Sequence, residues 1–286
     1  MKPIHVVRYV LIGWMVALAA CNTTPPAPLD EAKAALTAKD FARAITALEK
    51  TVAADPGSAA AHVLLGQAYF RADRKDDAEQ QFSAGFTLDQ AASLTVDATA
   101  EEQFLAGNVH ATLGQFDQAL KAYTETLKLQ PDKAGAYTNL GVVYYQTGKL
   151  DDAIGQFKQA LKLDAQDAET HYLLGAAYVQ KDNLTDAEAE FNTALTLKPE
   201  LVPAYIGLGN VYLINKDFEK AVVELEKAMA LQPDSPEALF ALGQAYASVG
   251  RTPDAIATLT KCVALNPPEP FRSKAQEILQ QLNTPK

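Results

Sequence analysis

The chain has 286 residues, of which 51 are alanine and 34 are leucine, so the composition predicts an all-α protein and disfavours a sandwich or barrel of strands. The formal net charge of −10 disfavours nonspecific binding to nucleic acid, because no cationic surplus exists to neutralise phosphates. Two cysteines are too few for a disulfide scaffold or for a four-thiolate zinc site.

The first segment, residues 1–20, has the features of an export signal. Two cations accompany an apolar run of ten residues, 9–18, which is about half the length that a membrane-spanning helix needs. The residues Leu18-Ala19-Ala20-Cys21 resemble the lipobox of bacterial lipoproteins. This resemblance implies that Cys21 is lipidated and becomes the first residue of the mature chain. The alternative is an ordinary signal peptide followed by an incidental cysteine.

The resemblance to lipoproteins also predicts a location. Several acyl chains on Cys21 would anchor the protein stably, whereas a single chain would be marginal. Asn22 at the next position favours the outer membrane in a cell with two membranes, and the outer face of the cell membrane in a cell with one. The proline-rich residues 21–28 are interpreted as a tether between the lipid and the folded part. The alternative is a secreted or periplasmic protein without lipid.

From residue 25 onward the sequence repeats with a period of 34. Glycine recurs at this interval, at Gly107, Gly141, Gly175, Gly209 and Gly243. Numbering each unit from 1 to 34 gives the units 25–58, 59–92, 100–133, 134–167, 168–201, 202–235 and 236–269. Position 20 is alanine in all seven units, position 24 is always large and position 27 is always small. A fixed period of this length indicates a repeat architecture.

Each unit is predicted to form two short antiparallel helices. In the unit 134–167, apolar residues follow helical spacing on both sides of a break at Gly148, which we expect to end the first helix in a left-handed conformation. Small residues at positions 8, 20 and 27 would let the helices approach, while large residues at 11 and 24 fill the gaps. A pair this short cannot bury its own apolar face, so the units must stack.

These positions resemble the tetratricopeptide repeat, whose pattern has glycine at position 8, tyrosine at 11, alanine at 20 and proline at 32. The resemblance covers residues 25–269 and implies, over 29–269, a right-handed α-solenoid of about seven helix pairs. It weakens in the units 25–58 and 100–133, and at the seven inserted residues 93–99. An amphipathic helix at 270–282 is predicted to close the end of the stack.

Groups able to support catalysis or metal binding do not cluster in the sequence. His62 and His171 occupy position 4 and His110 occupies position 11, where the family packs large rings, so packing is favoured over metal binding. Cys262 occupies the small position 27, which favours a buried thiol over a nucleophile. Glycine-rich phosphate loops, nucleophile elbows and zinc-protease motifs are absent from the sequence. We therefore predict no enzyme activity, no cofactor and no metal, with an enzyme or small-ligand receptor as the less favoured alternative.

The resemblance assigns the inner face of the stack to positions 2, 5, 9, 12 and 13 of the first helices. The candidate peptide-binding residues at these positions are Gln67, Phe70, Phe104, Asn108, Thr138, Tyr145, Tyr172, Ile206, Asn210, Leu213, Phe240 and Gln244. Amides beside apolar groups suit an extended peptide, because amides bond its backbone while apolar groups contact its side chains. Position 5 has no cation in units two to seven, which disfavours the lysine clamp that some family members use for carboxylates. The alternative is that these residues only pack against neighbouring helices.

The predicted function follows from these features together. We expect a membrane-anchored tetratricopeptide lipoprotein that acts as a protein–protein interaction scaffold or assembly adaptor at the bacterial cell envelope. Its partners are expected to be proteins or peptides bound along the inner face, with the membrane reached through the lipid on Cys21 and with no nucleic acid partner.

Overall fold

The computed structural model describes residues 28–92 and 99–284, and within these ranges it contains fifteen α-helices and no strand. The helices are α1 Pro28–Thr37, α2 Phe41–Ala54, α3 Ala59–Arg71, α4 Lys75–Ala92, α5 Ala100–Thr112, α6 Phe116–Leu129, α7 Ala134–Gln146, α8 Leu150–Leu163, α9 Ala168–Gln180, α10 Leu184–Leu197, α11 Val202–Ile214, α12 Phe218–Leu231, α13 Pro236–Ser248, α14 Thr252–Ala264 and α15 Phe271–Asn283. The predicted fold class, an all-α arrangement of helix pairs, is confirmed. The export signal 1–20, Cys21, the tether up to residue 27 and the inserted residues 93–98 lie outside the described residues.

The chain divides at Gln118, within α6, into two compact units, which we call the N-terminal unit and the C-terminal unit. In the C-terminal unit, the first helices α7, α9, α11 and α13 begin 34 residues apart. Each packs against the second helix that follows it and against the next first helix along the chain. None of the helices in the described part of the chain is both long and apolar enough to cross a membrane.

The repeated small residues allow the two helices of a pair to approach closely. The alanine at position 20 is fully buried in each of the seven 34-residue repeats, as Ala44, Ala78, Ala119, Ala153, Ala187, Ala221 and Ala255. A Cβ atom added at Gly141 would lie 2.5 Å from Cε1 of Phe157, and one added at Gly209 would lie 2.5 Å from Cγ of Leu225. Position 8 is therefore glycine because the large residue at position 24 of the same pair occupies the space of a side chain.

The turn between the two helices of each pair has one residue in the left-handed region at position 15. Gly148 has φ of +75°, which confirms the predicted left-handed end of α7. The amide of Lys149, one residue later, donates to the carbonyl of Tyr144 at 2.9 Å. Asp182 and Lys216 adopt the same conformation at φ of 59° and 63°, so the turn geometry is kept even where glycine is replaced.

The last helix, α15, closes the C-terminal unit. Ala275 is fully buried, and the Phe271 ring meets the Phe240 ring edge-on at a centroid distance of 5.7 Å. Contacts with α13 and α14 give α15 the position that a further first helix would occupy. Lys274 and Glu277 are exposed on its other side, so the stack ends on a polar surface.

Tyrosines at position 11 join a first helix to the second helix of the preceding pair. In the C-terminal unit, the Tyr212 hydroxyl donates to Glu188 Oε1 at 2.8 Å and the Tyr246 hydroxyl donates to Glu226 Oε1 at 2.7 Å. Both rings are buried, and burial together with the neighbouring carboxylate raises the pKa of each tyrosine to about 12. These contacts therefore stabilise the protonated phenol.

The raised tyrosine pKa values make stability depend on alkaline pH. The folded pKa of Tyr212 and Tyr246 lies above the ordinary value of 10.0, so their contribution is complete below pH 10 and is lost as pH rises from 10 to about 12. After allowance for solvent around the carboxylates, we expect about 1 kcal/mol from each tyrosine. Guanidinium unfolding at pH 8 to 12 measures this loss. The double variant Tyr212→Phe/Tyr246→Phe should lose less stability over this interval, and an identical loss in the variant would contradict the assignment.

Candidate functional site

The equivalent residues of the four first helices form a continuous surface in the C-terminal unit, which we call the first-helix face. It consists of positions 5, 9, 12 and 13 of α7, α9, α11 and α13, namely Thr138, Val142, Tyr145, Gln146, Tyr172, Ala176, Val179, Gln180, Ile206, Asn210, Leu213, Ile214, Phe240, Gln244, Ala247 and Ser248. The Gln180 amide donates to the Tyr145 hydroxyl at 2.6 Å, so neighbouring first helices touch along this surface. The hydroxyls of Thr138 and Thr170 are 2.8 Å apart and link the same two helices.

Apolar and amide side chains remain accessible at the centre of this face, on α11. Ile214 is 52% exposed, and Ile206 and Leu213 are half-buried beside it. Asn210 is exposed, as is Gln244 at the same position of α13, and neither side chain makes a hydrogen bond to any described residue. The free amides therefore remain available to a bound chain.

Other predicted site residues of the face pack against the core or against α15. The Tyr172 ring lies 5.9 Å from the core ring of Phe191, and burial raises the pKa of its phenol. Tyr145 packs against the same core and accepts the bond from Gln180. Phe240 at the far end packs against Phe271, so α15 covers part of this ring. The repeat pattern carries no signal for this covering contact, because α15 lies outside the repeats.

In the N-terminal unit, the structure places the other four predicted residues on two first helices. Gln67 and Phe70 lie on α3, and Phe104 and Asn108 lie on α5; all four are half-buried. The same two helices also have charged side chains, and the Arg71 guanidinium pairs with Glu101 at 3.3 Å. This surface therefore differs in charge from the first-helix face.

The position-4 histidines are held in place by two partners each. Nδ1 of His62 lies 2.7 Å from Gln81 Oε1, and Nδ1 of His171 lies 2.6 Å from Glu190 Oε2. In both residues Nε2 faces a backbone carbonyl of the preceding loop, at 3.2 Å and 3.3 Å. Each histidine thus ties its first helix to the second helix and to the loop. The sequence feature that could have predicted this contact is the polar residue 19 positions after each histidine, Gln81 or Glu190.

The remaining titratable candidates also have packing roles. His110 is buried, with Nδ1 2.7 Å from Gln115 Oε1. Cys262 is fully buried, and burial raises the pKa of its thiol, which disfavours the reactive thiolate. Across residues 28–92 and 99–284, no group of three or more histidine, cysteine or acidic residues has an arrangement that suits a metal ion.

Comparisons with known proteins agree with the helix-pair architecture. Residues 14–238 match the family model of the cilia and flagella-associated protein 70 C-terminal domain, and residues 212–282 match a model of the tetratricopeptide repeat. A search of the curated proteins found no match.

Several solved structures share the fold. MamA is 30% identical, with 59% of this chain and 96% of MamA covered at a TM-score of 0.52. A tetratricopeptide protein from Thermus thermophilus is 25% identical, with 64% of this chain and 100% of that protein covered at a TM-score of 0.53. YrrB, described as a tetratricopeptide protein with an unusual peptide-binding site, is 20% identical, with 66% and 97% covered at a TM-score of 0.52, which shows the fold alone.

These matches point to a non-catalytic repeat protein, in keeping with the packing roles of the histidines and the buried cysteine. The fold implies protein or peptide partners. The 34-residue helix pairs, their buried alanines and the family models together show that the chain belongs to the tetratricopeptide repeat family.

Proposed function

We propose that this protein is a lipid-anchored interaction scaffold at the bacterial cell envelope, which binds segments of partner proteins on its first-helix face. The observation that carries the binding proposal is the pair of unbonded amides, Asn210 and Gln244, next to the accessible side chains of Ile206, Leu213 and Ile214. An extended chain needs both elements, because its backbone requires polar partners while its side chains require apolar contacts.

The fold favours a binding role over chemistry. Solenoid repeats present long rows of equivalent side chains, and the peptide-binding site named for YrrB is an example of a site on this fold. The histidines and Cys262 of our protein serve packing, whereas the first-helix face keeps apolar and amide side chains accessible, as recognition of a protein segment requires.

Two amide substitutions test the binding proposal. Asn210→Ala combined with Gln244→Ala should weaken capture of partner segments from the envelope by about thirtyfold, since each of the two lost hydrogen bonds contributes about 1 kcal/mol. Pull-down with the full chain, followed by quantification of the co-purified proteins, measures this effect. The matched control replaces Gln159 and Asn192, which are exposed amides on the second helices α8 and α10. Equal capture by both double variants would reject the first-helix face as the site.

The anchor proposal rests on the resemblance of residues 18–21 to a lipobox and on the proline-rich tether that follows. Cys21→Ser should abolish metabolic labelling with palmitate and move the protein from the membrane fraction to the soluble fraction, because the acyl chains supply the anchor. Membrane fractionation that is unchanged in Cys21→Ser would refute the anchor. That outcome would leave the binding proposal intact, and a parent protein that is unlabelled and soluble would favour the secreted or periplasmic module.

A further inference from the structure

Charge is distributed very unevenly between the two kinds of helix in the C-terminal unit. Apart from His171, the helices α7, α9, α11 and α13 contain two charged residues, Glu169 and Glu237. They contain no lysine or arginine. The second helices α8, α10, α12 and α14 contain the acidic and basic residues instead, with five in α12 alone. The first-helix face is therefore close to neutral on a protein whose net charge is −10.

Both exceptions stand in the first turn of their helices and already have partners. Glu169 pairs with the Lys198 ammonium at 3.0 Å, and Glu237 accepts a hydrogen bond from the Ser235 hydroxyl at 3.1 Å. Acidic residues at this position are stabilised by the helix dipole. Their presence is explained by local structure, so they do not indicate a cationic ligand.

The centre of the face is its most apolar part. Helix α11 has no charged residue, and Ile206, Leu213 and the 52% exposed Ile214 share one side of it with Asn210. Val179 on α9 is half-buried and extends this apolar strip towards the preceding pair. The nearest free polar groups are amides, which bond a neutral backbone.

A charged ligand would be disfavoured here for a physical reason. Binding at the centre of the face would remove water from its charge, and α11 offers no opposite charge there to replace that solvation. An uncharged segment has no such cost and buries its apolar side chains against α11. The surface thus discriminates against a charged partner, because the charge of that partner would be left unpaired.

We propose that the first-helix face of the C-terminal unit binds an extended segment with no charged side chain and with aliphatic residues opposite Ile206, Leu213 and Ile214. This inference rests on the binding function proposed above and specifies its partner class. Four helices spaced about 8–10 Å apart span roughly 30 Å, which corresponds to about nine extended residues. The Asn210 and Gln244 amides bond the main chain of this segment.

Opposite charges introduced at one exposed position provide the test. Ten-residue random peptides displayed on phage are first selected on the purified full chain. Binding of the selected peptides is then measured for Ile214→Lys and Ile214→Glu, with Val223→Lys and Val223→Glu as controls, because Val223 is 50% exposed on the second helix α12. Since Ile214 is half in solvent, circular dichroism should show an intact fold for both variants.

We expect the selected peptides to be neutral and apolar, and both Ile214 variants to weaken binding by about tenfold or more, while the Val223 variants stay within about twofold of the parent. Selection of charged peptides, or tighter binding in one of the two Ile214 variants, would overturn the neutral-partner inference but keep the binding function. The double variant Asn210→Ala/Gln244→Ala is measured with the same peptides, and peptides that bind it and both Ile214 variants as tightly as the parent would overturn the binding function itself.

Discussion

Phe191→Ala is expected to lower the free energy of unfolding of the C-terminal unit by about 4 kcal/mol, because truncation of a buried ring leaves a cavity. Phe191 is 1% exposed. Its ring fills the space beside Gly175 in its own pair and beside Gly207 in the next pair, where an added Cβ would lie 2.8 Å and 2.6 Å from ring atoms. The ring therefore connects two successive pairs.

Guanidinium unfolding with hydrogen exchange measures the effect of Phe191→Ala. In a repeat protein, neighbouring pairs stabilise one another, so amide protection should fall most in α9, α10 and α11. Phe191→Leu is the control and should cost about 1 kcal/mol, since it keeps most of the volume. Equal losses in both variants, or a loss spread evenly over the C-terminal unit, would contradict the connecting role.

The same substitution should have opposite effects at two glycines of one helix pair. Gly141→Ala should lower the free energy of unfolding by about 2 kcal/mol, since the new Cβ would lie 2.5 Å from the buried Phe157 ring and force it to shift. Gly155→Ala should raise it by about 1 kcal/mol, because alanine favours helix over glycine and no atom lies within 4 Å of the new Cβ.

Guanidinium unfolding of the two glycine variants and the parent gives the comparison directly. Gly155 lies exposed in the middle of α8, so it serves as the matched control for the helix preference of alanine. Destabilisation of both variants by the same amount would show that the close approach at position 8 is not what selects glycine there.

Contacts within a helix pair could be predicted from the sequence, because the period of 34 aligns equivalent residues. The buried alanines at position 20, the glycine at position 8 and the left-handed Gly148 all follow from that alignment. A short pair has few ways to close around a large residue such as Phe157, so a recurring small residue identifies the contact.

Contacts between pairs could not be predicted in the same way. They depend on how one pair is rotated against the next, which the repeat pattern does not encode. Gly207 stands at no family glycine position, yet it receives the Phe191 ring from the preceding pair. The bond from Tyr246 to Glu226 recurs as the bond from Tyr69 to Glu49, whereas Tyr212 bonds to Glu188 at a different position of the second helix. The tyrosine at position 11 therefore has no single acceptor position that the repeat pattern could predict.

The candidate site could likewise be predicted from the sequence only in part. The first-helix positions were assigned from the resemblance, and the structure distinguishes accessible residues such as Asn210 from packed ones such as Tyr172. The neutrality of this face was readable from the sequence in part, through the missing cations at position 5. The exposure of Ile214 and the free amides required coordinates.

Site-specific photo-crosslinking in cells tests the central claim, binding on the first-helix face, most directly. A photo-reactive amino acid replaces Asn210 in one full-length variant and Val223 in another, so that exposed positions on a first and a second helix are compared. We expect the variant at position 210 to form crosslinked products with a partner protein and the variant at position 223 to form none. Crosslinks of equal yield at both positions, or at position 223 alone, would contradict this claim.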